Sequence, residues 1–182
     1  MARTEPTDVP MGTPCPDFAL PDPSGRTWTR DALRGPNGLV VAFICNHCPH
    51  VVAMVDRLAA DLEALKADGI GGVCIMPNDW TAYPADAPDR MDAFARDHGL
   101  TVPYLVDEAQ EVARLFGAVC TPDPFGFGPD LALRYRGRLD DVAARGDPAG
   151  RVAELAEAMR RIAAGGTVAQ QHPSMGCSIK WR

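Results

Sequence analysis

No segment of this 182-residue chain approaches the run of about eighteen apolar residues that a membrane-crossing helix needs. The opening MARTEPTDVPMG also lacks the basic end and apolar stretch of a signal peptide, so a soluble, cytoplasmic protein without a membrane partner is expected. Basic charge is scarce as well. Eighteen Lys and Arg stand against twenty-four Asp and Glu, for a net charge of −6, and no run of like charge stands out. An electrostatic footprint for nucleic acid is therefore missing. Internal repeats, low-complexity blocks and interdomain linkers are absent too, which points to one domain over residues 1–182, with 1–12 a flexible N-terminus and 165–182 a C-terminal tail. A disulfide framework does not fit either. The six cysteines are an even number, but such frameworks belong to short secreted chains that cannot build a core, and 46% hydrophobic residues can build one here. Cys15, Cys74, Cys120 and Cys177 are isolated; only Cys45 and Cys48 stand close together, in Cys45-Asn46-His47-Cys48. Redox or metal chemistry is the question they pose.

What is present is an alternation of short periodic segments cut by glycine and proline. Residues 17–28 read as two short edge strands around a Ser24-Gly25 turn. Leu39 to Ile44 is an unbroken apolar run, as in strands buried on both faces. Directly after the cysteine pair, Val51, Val55, Leu58, Leu62 and Leu65 fall on one stripe of a helix that Gly69 closes. A strand over 72–76, a helix over 88–98, a strand over 104–106 and a helix over 108–116 with Val112 and Leu115 inward repeat the alternation, which argues a parallel sheet with right-handed crossovers. Leu131 to Arg136 adds a hairpin strand that makes the sheet mixed, and residues 148–164 give a last amphipathic helix through Val152, Leu155, Met159 and Ile162. The tail from Gly165 has no clear period and reads as loop or extended chain.

The position of the cysteine pair matters because a free thiol, with a pKa near 8.5, is only about 3% ionised at pH 7. Cys48 stands where a helix should begin, and Pro49 suits the first helical position. That turn offers unpaired N–H groups and a positive dipole end. Lowering the pKa to about 6 takes about 3.4 kcal/mol, whereas a helix dipole supplies only about 0.3–2 kcal/mol. Direct hydrogen bonds must contribute the rest, and Cys45, His47 and backbone N–H groups are the available donors.

A buried strand, a C-x-x-C, a helix and a later Thr121-Pro122 step resemble the thioredoxin superfamily. Pro16-Asp17-Phe18-Ala19-Leu20 and the Ser24-Gly25 turn are similar to its redoxin branch, which includes peroxiredoxins of the AhpC/TSA type. Cys45-Asn46-His47-Cys48-Pro49-His50 and the ending from Ser174 to Trp181 resemble peroxiredoxin-like bacterial members of that branch. The resemblance implies a thioredoxin-like α/β fold, a central mixed sheet flanked by helices with an N-terminal hairpin. It also implies a cis Pro122 packed beside the pair, with the Thr121 backbone able to pair with a bound peptide or thiol. In those families the attacking cysteine comes about five residues after an aromatic residue of the buried strand; counting from Phe43 gives Cys48. Cys45 then precedes the nucleophile as its disulfide partner. The chain departs from the family patterns at Val41, where peroxiredoxins carry proline, at Ala42, where thioredoxins carry a buried acid, and at Val51, where thioredoxins carry the second cysteine.

The implied activity is thiol–disulfide oxidoreduction: reduction of peroxides or protein disulfides, with electrons from an external dithiol such as a thioredoxin-like protein or a small thiol. The sulfurs carry the electrons, so no cofactor is needed, and a monomer or homodimer would serve. The alternative is a zinc- or copper-binding module or a redox sensor without turnover, since Cys45, His47, Cys48 and His50 are all ligand types. Adjacency of His47 and Cys48 argues against a tetrahedral site. His47 either tunes the thiolate or is a solvated loop residue; Cys120 lies near Pro122 and either packs or takes part; Cys177 resolves an oxidised sulfur, pairs with a partner chain, or accompanies packing of Ile179 and Trp181. Arg138 is expected to form a structural salt bridge rather than to polarise a peroxide.

Overall fold

The computed structural model describes residues 3–4, by backbone alone, 8–142 and 146–182. After β1 (Arg3–Thr4), the segments β2 (Ala19–Pro21) and β3 (Thr27–Thr29) form a hairpin, and α1 (Arg30–Leu33) leads to β4 (Leu39–Phe43). Then come α2 (Pro49–Val52), α3 (Val55–Ala67), β5 (Gly71–Met76), α4 (Pro88–Asp97), β6 (Tyr104–Val106), α5 (Glu111–Phe116), β7 (Cys120–Thr121), β8 (Asp123–Phe127), β9 (Leu133–Arg136), α6 (Glu154–Ala163) and β10 (Gly176–Ser178). Of the stretch 1–12 expected to be flexible, residues 1, 2 and 5–7 lie outside the described residues; Arg3–Thr4 pair with β10.

The main sheet has the order β6-β5-β4-β8-β9 and is mixed, as expected. Strand β4 runs parallel to β5 and antiparallel to β8, and β5 runs parallel to β6. Because side chains alternate along a strand, β4 feeds two cores. Val40 and Ala42, with Ile44 just beyond, pack against α3, α4 and α6; Leu39, Val41 and Phe43 pack with the hairpin's Phe18 and Leu20 and with α5. The second core is closed by aromatic edges, Phe116 lying 5.3 Å from Phe43 and 5.5 Å from Phe125 between ring centroids. Both faces of β4 are thus covered, which fixes its C-terminal end, where the cysteine pair follows.

Four local expectations need correction. The helix after the cysteine pair is broken: Met54 takes φ −130° and ψ −11° between α2 and α3, although all five stripe residues are buried. Leu115 is 64% exposed rather than inward. Gln110 is held in the left-handed region, φ 61°, by side-chain bonds to Pro77 O and Lys180 O, so the helix starts at Glu111 and turns Val112, Ala113 and Phe116 inward. Val152 is 44% exposed, because the last helix starts at Glu154 after Val152 N–H has bonded Asp141 Oδ1. The tail, expected without regular structure, supplies β10 at the centre of a second, antiparallel sheet of order β1-β10-β7. No described helix is long and apolar enough to cross a membrane.

Candidate active site

Cys45 leaves the end of β4, and Cys48 is the N-cap of α2, with Pro49 as the first helical residue. Both are buried, Cys48 at 0% exposure. Facing them is Thr121 at the end of β7, followed by a cis bond to Pro122, as the resemblance implied. Thr121 touches both sulfurs: its Oγ1 lies 3.2 Å from Cys45 Sγ, and its carbonyl oxygen lies 3.1 Å from Cys48 Sγ, a bond that the thiol donates only while it is protonated. Cys177 of β10 pairs in register with Thr121 and so completes the group. The structure thus brings Cys45, Cys48, Thr121 and Pro122 together. The Cys177 thiol, for which the sequence left both a resolving and a packing role open, is brought beside the pair.

Ionisation of the three thiols is divided unequally. Hydrogen bonding by the Cys45 thiol, joined by the Cys177 thiol and by the Val51 and Cys177 N–H groups, holds Cys48 far below its ordinary value against the opposing cost of burial. Donating to Cys48, together with burial and the nearby Asp86 charge, raises Cys45 well above the ordinary range. Burial, and then its own bond to Cys48, pushes Cys177 up to about 11, with Lys180 pulling the other way. One sulfur therefore carries the charge and its two neighbours keep their protons.

The loop between the cysteines is organised by a residue that no motif announced. Asp86, fully buried at the end of the turn Pro84–Asp86, accepts from Asn46 N–H at 2.8 Å and His47 N–H at 3.2 Å through Oδ1. Its Oδ2 meets His47 Nδ1 at 2.7 Å and Asn78 Nδ2 at 2.8 Å. The His47 ring also stacks on Tyr83, and Tyr104 donates to Asn46 Oδ1 at 3.1 Å. His47 is thus engaged with Asp86 and is not among the groups that lower Cys48. Cys45, His47 and Asp86 do lie close enough to share an ion, their ligand atoms being within 4.8 Å of one another. Yet both Asp86 oxygens already hold two partners each, and the Cys45 thiol is engaged with Thr121 and Cys48. A metal would have to break that set.

Cys120 is also buried, and its sulfur donates to Pro122 O at 3.8 Å; burial first, with the charges of Asp123 and Cys48 acting the same way, pushes it up to about 12. On the same side, Asp123 and Arg136 form a buried pair at 2.9 Å, with Ser174 Oγ donating to Asp123 at 3.4 Å. Arg138 is bound to Glu154 at 2.6 Å, as a structural salt bridge. A cleft of about 300 Å³ opens beside Pro122, lined by His50 and Met54 and by Ser174 and Met175 of the tail.

A buried strand ending in a charged sulfur, with a second thiol three residues before it and a cis proline opposite, fits the redoxins, and residues 11–136 match the AhpC/TSA family. The chain belongs to that family. It is 36% identical to an uncharacterized conserved protein from Geobacillus kaustophilus, with a TM-score of 0.93, covering 100% of this chain and 97% of that one. It is 34% identical to a hypothetical protein from Sinorhizobium meliloti 1021, with a TM-score of 0.91 and 98% of each chain covered. The peroxidoxin BcpB from Mycobacterium tuberculosis shares the thioredoxin-like fold, at 19% identity and a TM-score of 0.62 over 83% of this chain and 96% of that one. No curated protein matches. The redoxin-branch assignment and the α/β fold expected from the sequence therefore hold, and the chemistry is that of a redoxin-type thiol oxidoreductase.

Proposed function

We propose that this redoxin is a thiol-dependent peroxidase or disulfide reductase in which Cys48 is the nucleophile and Cys45 its disulfide partner. The observation that carries the reading is the placement of Cys48 at a helix N-terminus against the cis Thr121–Pro122 step, with a neighbouring thiol whose hydrogen bond favours its ionised form. Burial alone would keep a thiol protonated, so this arrangement has the character of a nucleophile rather than of packing. With a peroxide, Cys48 thiolate attacks one oxygen, the O–O bond breaks, and the alcohol or water leaves with a proton; Cys48 becomes a sulfenic acid, oxidised by two electrons. Attack of the Cys45 thiol on that sulfur forms an S–S bond and releases water. With a disulfide, Cys48 attacks one sulfur, the other leaves as a thiol, and Cys45 then displaces the first. An external dithiol returns two electrons in either case. No metal or organic group enters these steps.

The metal-module alternative has less support, because Asp86 is saturated by hydrogen bonds from the protein. Peroxide consumption by the purified reduced protein with an external dithiol, run beside reduction of an insulin-type disulfide, decides the oxidant. Turnover of either substrate that disappears in Cys48→Ser is the expected result. Absence of both activities, with stoichiometric zinc or copper bound by the reduced protein, would replace this reading with the alternative.

A further inference from the structure

Cys177 lies outside the stretch that matches the family, which ends at Arg136, and the function proposed above does not use it. The fold nevertheless brings it to the reacting sulfur. Strand β10 lies antiparallel against β7, with Cys177 opposite Thr121 and Ser178 opposite Cys120. Beyond it the chain is tied down: Ile179 N–H bonds Val119 O at 2.9 Å, Lys180 N–H bonds Asn78 Oδ1 at 2.9 Å, and Ile179 is buried in the second core. Gly176 lies so close to the Thr121 backbone that a Cβ there would collide with it. The thiol of Cys177 hydrogen-bonds Cys48, as the Cys45 thiol does.

The two neighbours of Cys48 differ in their surroundings. Cys45 faces the buried Asp86 carboxylate, a negative charge that opposes its ionisation, and it is completely enclosed. Cys177 faces the Lys180 ammonium, which assists ionisation. While Cys48 is a thiolate, its charge and its hydrogen bonds keep both neighbours protonated. Oxidation of Cys48 removes that charge, and the neighbour beside a cation then ionises more readily than the one beside an anion.

We infer that Cys177 is a second disulfide partner of Cys48, so that the site makes two intramolecular disulfides in order, Cys48–Cys177 first and Cys45–Cys48 by exchange. Resting on the proposed nucleophilic role of Cys48, the sequence with peroxide runs as follows. Cys48 is oxidised to the sulfenic acid. Cys177 attacks that sulfur, and its proton leaves with the hydroxyl as water. Cys45 then attacks Cys48 Sγ, the Cys48–Cys177 bond breaks, and the departing Cys177 thiolate takes up the proton that Cys45 gives up. This last step exchanges bonds without net oxidation and returns the tail to its reduced contacts with Thr121.

The test is rapid acid quenching of the full-length protein after one equivalent of hydrogen peroxide, alkylation of the remaining thiols, and mass mapping of linked peptides over time. In the wild type, Cys48–Cys177 should appear before Cys45–Cys48 and decline as the latter grows. Cys45→Ser should accumulate Cys48–Cys177, with loss of two alkylatable thiols. Gly176→Ala, which forces β10 away from Thr121 without altering a sulfur, should lose Cys48–Cys177 and keep Cys45–Cys48. Cys45–Cys48 forming without a lag, or Cys45→Ser left with oxidised Cys48 and an alkylatable Cys177, overturns the inference while leaving the nucleophile in place. Failure of Cys48 to oxidise in any of the proteins removes the inference together with the proposed function.

Discussion

All six cysteines are buried thiols, yet they fall into two sets with opposite chemistry. Cys15, Cys74 and Cys120 are pushed up to about 12, in each case first by burial. Cys48 is as deeply buried as any of them and is shifted the other way. Depth is therefore not what separates an inert sulfur from a reactive one. The difference is the number of donors aimed at it: Cys74 sits mid-strand in β5 among apolar side chains, whereas Cys48 receives two thiols and two backbone N–H groups. A single hydrogen bond to a charged acceptor is worth about 1.5–3 kcal/mol, so several together outweigh a desolvation cost that one alone would not.

The sharpest way to break this contrast is to remove the charged sulfur. Cys48→Ser should lower peroxide or disulfide turnover by at least ~10³-fold, since a hydroxyl in that place is not ionised at neutral pH. Residual turnover close to the wild type, measured with the external dithiol in excess, would move the nucleophile to another cysteine. Next in size is the support beneath the loop. Asp86→Ala strands the half-buried N–H groups of Asn46 and His47 and the buried amide of Asn78; a buried donor left unsatisfied costs about 1–3 kcal/mol, and the two half-buried ones add to it. Urea unfolding should therefore show a loss of about 3 kcal/mol or more. A loss under about 1 kcal/mol would mean that water replaces the carboxylate and that Asp86 does not organise the loop.

The two cysteine sets also differ in how far sequence reveals them. Six consecutive apolar residues before Cys45 can only be a covered strand, and Pro49 after Cys48 marks a helix start, so the placement of the pair is a local property that composition and spacing display. Cis Pro122 came through resemblance. Asp86 is different: it reaches the loop from 39 residues away, out of a proline-rich turn with no period. Its role lies in a tertiary contact that spacing does not encode. Cys177 is a candidate in the sequence, but its placement is hidden for a related reason. A three-residue strand paired across β7 leaves no alternation to detect, and only the register places its thiol beside Cys48. Leu115 and Val152 face solvent, against the period of the sequence, because helix phase depends on where the helix starts, and Gln110 and Asp141 set those starts through side-chain bonds.

A smaller effect separates the donors from one another. Cys45→Ala removes one thiol donor from a charged acceptor, which should raise the Cys48 pKa by about 1–2 units. The sign follows from the depressed value: Cys48 in the folded wild type stays ionised as pH falls well below 7, whereas in the variant the thiolate should be lost at higher pH. The pH dependence of thiolate absorbance, with Cys48→Ser as the blank, measures this directly. An unmoved midpoint would mean that Cys177 and the backbone alone hold the charge.

The least effect belongs to the inert set. Cys74→Ala deletes a sulfur fully buried in the first core cluster, so the expected cost is about 1 kcal/mol from the small void, with no change in the Cys48 midpoint. The comparison needs both halves of that outcome. Unfolding should register the change because Val40, Ala42 and Cys74 share one packed face, and the thiolate should not, because none of the donors to Cys48 rests on Cys74. If instead the midpoint moves by a unit or more, the two sets are coupled through the sheet, and the ionisation of Cys48 depends on how β4 is seated as well as on the donors around it.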